Sequence, residues 1–141
     1  MKRERESTAR VTSAVIFVSQ LDRSVEFYRD VFSCEVTVLD LRAALLLAPG
    51  GFQLYLIARG DRATHLLGGI GLQSLVWAVE SDHELRDLAR VLEDHGAYLD
   101  TFVSAGVSFI EARDPDGIRV LVAHPSPHRL PRSVVGSRLY A

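Results

Sequence analysis

Apolar and polar positions along the chain follow one pattern that occurs twice. Residues 13–18 form a short apolar run rich in β-branched side chains, residues 74–79 form a similar run, and each predicts a buried strand. After each run, apolar residues recur at helical spacing with charged residues between them, which predicts an amphipathic helix. The helical positions are Val25, Tyr28, Val31 and Phe32 in the first segment and Leu85, Leu88, Ala89 and Leu92 in the second. We expect Gly96 to end the second helix, in the left-handed conformation that glycine adopts readily.

Three further strand candidates follow each predicted helix and complete the repeat. They are residues 35–39, 43–48 and 52–57 in the first half, and residues 97–103, 107–112 and 118–123 in the second. Residues 49–51 and 114–117, rich in proline, glycine and aspartate, supply the turn before the last strand of each half. The pattern predicts an α+β fold of two βαβββ repeats, which form a cupped mixed sheet with the helices on its outer face.

The ends of the chain and its middle differ in composition from the repeats. Residues 1–10 are polar and charged, and we expect a flexible N-terminal arm. Residues 60–71 are rich in glycine and predict a connector, and residues 125–141, with three of the five prolines, predict an irregular C-terminal tail. The interpretation is a single domain in which the first module spans residues 11–59 and the second spans residues 72–124.

The composition is that of an ordinary soluble domain. The 141 residues are 48% hydrophobic and 24% charged, with a formal net charge of −2, so there is no basic field for nucleic acid. No apolar run approaches the ~20 residues that cross a bilayer. The N-terminal residues lack the apolar stretch of a secretory signal, and we expect a cytoplasmic protein with no nucleic-acid or membrane partner. The single cysteine, Cys34, excludes an intramolecular disulfide and a cysteine-rich zinc site, and we expect it to be a small buried hydrophobe.

Three segments of the chain carry a family resemblance. They are residues 18–28 (VSQLDRSVEFY), 71–79 (GLQSLVWAV) and 113–117 (RDPDG), and together they span nearly the whole folded body. In these segments the chain resembles the vicinal oxygen chelate superfamily, which contains glyoxalase I, the extradiol dioxygenases and the bleomycin-resistance proteins. The resemblance implies the paired βαβββ fold, but it does not specify the activity, because this fold hosts several chemistries.

The resemblance also implies where a divalent metal would be held. In the superfamily's enzymes the first strand of each repeat typically gives a histidine, and the last strand gives a glutamate or a histidine. The matching positions in this chain are Ser13, Ser74, Tyr55 (or Gln53, if the register differs by two) and Leu121. Two hydroxyls, a phenol and a leucine do not replace the imidazole and carboxylate groups that such a metal prefers. We therefore expect neither a metal nor a cofactor.

Other residues with catalytic or metal-binding chemistry form no familiar motif. The histidines, His65, His83, His95, His124 and His128, make no H-x-H or H-x-x-x-H pair on one strand or helix face. A metal site shared by His65 and His124 has no further support in the sequence. Asp114 and Asp116 belong to a D-P-D-G turn, where both serve backbone geometry. We assign no catalytic residue.

Strand alternation predicts which side chains line the cup. With Ser13 facing inwards, the lining is Ser13, Val15, Phe17, Gln53, Tyr55, Ile57, Ser74, Val76, Arg119 and Leu121. This set is mostly apolar with a few polar groups, as small-molecule pockets are. Phe17 and Tyr55 can stack on a planar ligand, and Arg119 can meet a carboxylate or phenolate. The alternatives are that both rings fill a closed cup, and that Arg119 is a surface residue paired with Glu111.

Together these expectations favour a binding protein over an enzyme. Metal-free members of the bleomycin-resistance type are homodimers that sequester a drug in clefts between subunits, and the resemblance implies the same arrangement. We expect a metal-independent homodimer that binds an aromatic natural product or drug and confers resistance or self-protection. The net charge and Arg119 disfavour the cationic bleomycin itself.

Three alternatives stay open. A metal-independent isomerase, cyclase or lyase would use Tyr55, Glu111 and Arg119. A divergent glyoxalase-like or dioxygenase-like enzyme would hold its metal with relocated ligands. A diverged domain would have its dimer surface as its only function. The tail arginines, Arg129, Arg132 and Arg138, either cover a neighbour's cleft or hang free.

Overall fold

The computed structural model describes residues 11–60, 72, 74–104 and 106–126. Along this part of the chain the elements are β1 (Ser13–Val18), α1 (Leu21–Phe32), β2 (Glu35–Leu39), β3 (Ala43–Leu47), β4 (Gln53–Ala58), β5 (Ser74–Ala78), α2 (Asp82–Asp94), β6 (Tyr98–Ser104), β7 (Val107–Arg113) and β8 (Arg119–His124). The arm, most of the connector and the tail beyond residue 126 lie outside the described residues, as do His65, His128, Arg129, Arg132 and Arg138.

The strands form two four-stranded mixed sheets with the same strand order. The first sheet has the order β1–β4–β3–β2, and the second has the order β5–β8–β7–β6. In each sheet the first strand of the repeat runs parallel to the last, and the other neighbouring strands are antiparallel. The predicted α+β fold of two βαβββ repeats with a cupped mixed sheet is confirmed.

The two helices and the helix-facing sides of both sheets share one hydrophobic core. Each helix buries the apolar stripe visible in the sequence, because its other side chains are charged or polar. Trp77 of β5 stacks on Phe32 of α1, with the ring centroids 3.9 Å apart and the ring planes 8° from parallel. Since one core holds the helix sides of both sheets, the opposite side of each sheet points away from it.

The helix ends differ in how the backbone leaves the helix. Ser81 precedes α2, and its hydroxyl accepts a hydrogen bond from the Glu84 N–H at 3.1 Å. Past the end of α2, Gly96 has the left-handed backbone that the sequence predicts, with φ of 68°. After α1 the chain instead passes through Ser33, a non-glycine residue with φ of 54°. The left-handed position after α1 is therefore occupied by a residue that adopts it at a cost.

The turn of residues 114–117 in the second repeat is bound to the first repeat. Asp114 Oδ1 accepts hydrogen bonds from the Asp116 and Ile118 N–H groups, both at 2.9 Å, which confirms the structural role of this aspartate. Asp114 Oδ2 accepts from the Tyr28 hydroxyl of α1 at 2.7 Å. Asp116 Oδ2 accepts from the Ser19 N–H at 3.0 Å, just before α1. The two repeats are thus joined by polar contacts as well as by the common core.

Within the part of the chain that the structure describes, no helix is long and apolar enough to span a membrane.

Candidate functional site

The strand registers place the predicted lining residues on the side of each sheet that faces away from the helices. In the first sheet, Ser13 pairs with Gln53 and Val15 pairs with Tyr55. In the second sheet the equivalent pairs are Ser74 with Arg119 and Val76 with Leu121. Directly paired residues share a sheet face, so each half of the predicted lining forms one continuous surface.

On the first sheet this surface is open. The exposed fractions are 60% for Val15, 53% for Phe17 and 39% for Tyr55. The guanidinium carbon of Arg59 lies 4.3 Å from the centroid of the Phe17 ring, which is a cation–π contact. We call Val15, Phe17, Tyr55 and Arg59 the open strip. An exposed apolar strip with a cation at its edge can bind a flat molecule that carries an acidic group.

On the second sheet the corresponding surface is closed. Leu121, Val107 and Ala123 are fully buried in a second apolar cluster. Phe102 and Phe109 of the same cluster stack with their ring centroids 5.1 Å apart. Val76, at the edge of this sheet, is still 52% exposed. The two halves of the predicted lining therefore differ: the first presents side chains to solvent, and the second has most of them packed.

Arg119 and Glu111 form an ion pair on the closed surface. Arg119 Nε lies 2.7 Å from Glu111 Oε2, and the two side chains are only 7% and 16% exposed. The sequence left two alternatives for Arg119, a ligand contact in the cup and a surface residue paired with Glu111. The pairing is present, but the pair is buried and not at the surface. Tyr55, which a metal-independent enzyme would use together with these two residues, lies in the first sheet and not in the second.

Four side chains occupy the positions that match the superfamily's metal ligands, and they do not suit a divalent metal. Ser13, Ser74 and Tyr55 offer neutral hydroxyls, and Leu121 offers no donor atom and is fully buried. Among the described residues, no three histidine, cysteine, aspartate or glutamate side chains are grouped so as to hold a metal. His124 Nδ1 lies 3.0 Å from the Val79 carbonyl oxygen. The side chains at Ser13, Ser74, Tyr55 and Leu121 therefore do not fit a divalent metal.

Cys34 does not have the environment of a reactive thiol. Its side chain is buried, and burial raises its pKa to about 11. The thiolate, which is the nucleophilic form, is thus scarce at neutral pH. The sequence-based expectation of a small buried hydrophobe is confirmed.

Sequence reasoning missed Arg59 as a component of the site. Arg59 follows β4, and its N–H donates to the Val18 carbonyl, so the parallel pairing of β1 with β4 continues to this residue. Alternation along β4 places Arg59 two positions beyond Ile57, on the same face. Extending the alternation of Gln53, Tyr55 and Ile57 by two residues in the sequence would have identified Arg59.

Solved structures with the same fold agree with this architecture. A glyoxylase/bleomycin resistance protein/dioxygenase domain from Frankia sp. EAN1pec is 25% identical, with a TM-score of 0.72 over 83% of this chain and 98% of that chain. Lactoylglutathione lyase from Agrobacterium tumefaciens is 21% identical, with a TM-score of 0.63 over 84% and 95%. The oxidase ChaP-H2 is 14% identical, with a TM-score of 0.69 over 92% and 100%. The last two show the fold alone.

A comparison with curated protein sequences finds no significant match. The family model described as Glyoxalase/Bleomycin resistance protein/Dioxygenase superfamily matches residues 10–122, which is most of the chain. With its two βαβββ repeats and this match, the chain belongs to the glyoxalase/bleomycin resistance/dioxygenase superfamily.

Proposed function

We propose that this chain is a metal-independent binding protein that holds a planar aromatic molecule on the open strip. The observation that carries the proposal is the exposure of Val15, Phe17 and Tyr55 on one sheet face, beside the guanidinium of Arg59. Two aromatic rings and one aliphatic side chain supply apolar contact, and the guanidinium supplies a partner for a carboxylate or phenolate. A flat ligand with one acidic group fits these features.

The absence of imidazole and carboxylate groups at the four family positions supports metal independence. Ser13, Ser74, Tyr55 and Leu121 give three neutral oxygens and no charge. A divalent cation binds such a set weakly, because nothing offsets the cost of removing its water. The proposed ligand is thus held by stacking and by Arg59 rather than by a metal.

We propose further that a second copy of this chain covers the open strip. A flat ligand that buries ~200 Å² of apolar surface on one face gains about 5 kcal/mol at ~25 cal/mol per Å², and the entropy cost of association consumes most of that gain. Burying the other face of the ligand under a partner subunit raises the affinity. Val38 of the same sheet, which pairs with Leu45 beside Tyr55, is also exposed and extends the apolar surface available to a partner. Such a homodimer would protect a cell by lowering the free concentration of the ligand.

The experiment combines native mass spectrometry with a ligand screen. The protein is purified without chelator and incubated with equimolar Mn²⁺, Fe²⁺, Zn²⁺ or Ni²⁺, and planar aromatic acids are then added. We expect a dimer mass without stoichiometric metal, and at least one bound acid per dimer. One tightly held metal per chain would overturn the proposal.

Substitutions test where the screened ligand binds. Phe17→Ala should weaken binding about tenfold, because it removes one stacking surface. Leu41→Ala, a similar truncation at a residue that is 88% exposed in the β2–β3 turn, is the matched control and should have little effect. The recovered ligand should have an unchanged mass. A changed mass would instead favour the enzyme that uses Tyr55, Glu111 and Arg119.

A further inference from the structure

Two polar side chains lie at the end of the open strip that is remote from Arg59. Ser13 of β1 and Gln53 of β4 pair directly, on the same sheet face as Val15 and Tyr55. Both residues are half-buried, and neither side chain makes a hydrogen bond to a described residue. We call Ser13 and Gln53 the polar pair. Its hydroxyl and amide groups are open to a ligand that lies on this face.

Between the polar pair and Arg59 the sheet face is mostly apolar. The register of β3 pairs Leu45 with Tyr55 and Ala43 with Ile57, so a third strand contributes to this face. Because neighbouring strands lie ~4.8 Å apart, three of them span a width of ~10 Å. We call these side chains the apolar floor: Val15, Phe17, Ala43, Leu45, Tyr55 and Ile57. A ring system can therefore lie flat on the floor, with a polar contact at each end.

The position of the Arg59 guanidinium determines how long such a ligand is. The guanidinium carbon lies 4.3 Å from the centroid of the Phe17 ring, so the charge is above Phe17 and not beyond the end of β4. Ser13 and Phe17 are four residues apart on β1, which is ~13 Å at ~3.3 Å per residue. A hydrogen-bonded ligand atom lies ~3 Å from its partner. Two polar ligand atoms that are ~10 Å apart therefore reach both ends.

The two ends of the open strip differ in chemistry. The guanidinium is permanently charged and binds a carboxylate or a phenolate. Among the described residues, no carboxylate forms an ion pair with Arg59. The polar pair is neutral and can both donate and accept hydrogen bonds, so it suits a hydroxyl, carbonyl or amide group. Because the ends are unlike, a ligand with one acidic end binds in one direction only.

From the apolar floor, its two unlike ends and the distance between them, we infer that the open strip selects an elongated, flat aromatic acid that carries a neutral polar group ~10 Å from its carboxylate. The carboxylate meets Arg59, the rings lie on the floor, and the neutral group hydrogen-bonds to the polar pair. The inference rests on the proposed function and adds the second polar group, its position and the direction of binding. Fused rings with one substituent at each end meet this requirement.

Three naphthoates test the inference on the wild-type protein, and all three are anions at pH 7. In 6-hydroxy-2-naphthoate the hydroxyl and the carboxylate are at opposite ends of the rings, in 3-hydroxy-2-naphthoate they are neighbours, and 2-naphthoate has no hydroxyl. Equilibrium dialysis measures the affinity of each. We expect the 6-hydroxy acid to bind about fivefold more tightly than 2-naphthoate, because it gains one hydrogen bond, and the 3-hydroxy acid to bind no more tightly than 2-naphthoate.

The outcomes separate this inference from the proposed function. Equal affinities of the two hydroxy isomers would overturn the inference and leave the proposed function intact, because a flat acid would still bind. If none of the three acids binds, the proposed function and the inference both fail.

Substitutions at the polar pair locate the hydroxyl contact. Ser13→Ala combined with Gln53→Leu removes both polar groups, and it should reduce the fivefold preference for the 6-hydroxy acid over 2-naphthoate to less than about twofold. Gln20→Leu makes the same glutamine substitution at an exposed residue just before α1 and should keep the preference. Tyr55→Phe removes the hydroxyl of the floor and should keep it as well. Retention of the preference in the double variant, or its loss in Tyr55→Phe, would overturn the inference.

Arg59→Gln tests the direction of binding. It should weaken all three acids by about fivefold, since each loses the same charged contact, while the preference for the 6-hydroxy acid over 2-naphthoate stays the same. An unchanged affinity for 2-naphthoate would mean that the carboxylate binds elsewhere, and the inference would be wrong. The preference is a ratio measured within each variant, so a partial loss of folded protein does not alter it.

Discussion

The hydrogen bond between Tyr28 and Asp114 permits a quantitative test of how the two repeats are joined. Both residues are buried, and the bond is 2.7 Å long. Tyr28→Phe removes the hydroxyl, leaves the ring in place and takes one donor away from a buried carboxylate. A hydrogen bond to a charged group contributes about 1.5–3 kcal/mol, so we expect the free energy of unfolding at pH 7 to fall by about 2 kcal/mol.

The loss should depend on pH in a direction set by Asp114. Burial raises the pKa of Asp114, while the hydrogen bonds from Tyr28 and from the Ile118 and Asp116 N–H groups lower it. Removing the Tyr28 hydroxyl raises that pKa further. A carboxyl whose pKa is higher in the folded than in the unfolded state makes the protein less stable as the pH rises from the unfolded pKa through the folded pKa. The effect of Tyr28→Phe should therefore be largest at neutral pH and should shrink as the pH falls through that window.

Urea denaturation of both proteins at pH 7 and at pH 4.5 measures this effect, provided that the slopes against urea agree. Tyr98→Phe is the matched control. It removes an exposed hydroxyl that lies 2.6 Å from Thr101 Oγ1, and it should cost less than about 0.5 kcal/mol at either pH. The reasoning is refuted if Tyr28→Phe costs no more than Tyr98→Phe at pH 7, or if its cost grows on acidification.

Three further outcomes are expected. Arg119→Met removes the guanidinium that pairs with the mostly buried Glu111 carboxylate and should lower the free energy of unfolding by about 3 kcal/mol. In urea denaturation, adding Glu111→Gln should restore part of this loss, and strictly additive losses would contradict the reasoning. Because burial raises the pKa of Cys34 to about 11, a thiol reagent at pH 8 should label the protein only after denaturation, and rapid labelling of the native protein would disprove it. Ser33 and Gly96 both have positive φ, so Ser33→Gly should raise the free energy of unfolding by about 1 kcal/mol and Gly96→Ala should lower it by about as much. Calorimetry that shows changes of the same sign for both variants would contradict this reasoning.

Much of the fold could be predicted because apolar periodicity records which side of each element is buried. The strands β1 and β2 have their predicted bounds, and each of the other strands differs from its predicted bounds by one residue at one end or at both. Gly96 ends α2 as expected, because few other residues adopt that backbone without strain. Ser33 could not be found in the same way, since nothing in its side chain marks a left-handed position.

The candidate site was harder to predict, because alternation gives the side of a sheet but not what covers it. Tyr55 and Leu121 lie at equivalent positions of the last strands of the two repeats, and alternation treats them alike. Tyr55 is 39% exposed, whereas Leu121 is fully buried. The packing of α1 against α2 is likewise a contact between distant parts of the chain. A single sequence carries no periodic signal for such a contact.

The attachment of the 114–117 turn to α1 has a consequence for how the repeats can be separated. Asp114 belongs to the second repeat, and its partner Tyr28 belongs to the first. If either repeat were detached, a polar group that is now buried and bonded would lose its partner, and the core that the repeats share would be opened to water. The protein should therefore melt in one transition, without a stage in which one half has unfolded. For the same reason, exchanging one repeat for that of a relative should preserve the fold only when the turn and the tyrosine it holds are transferred as a matched pair.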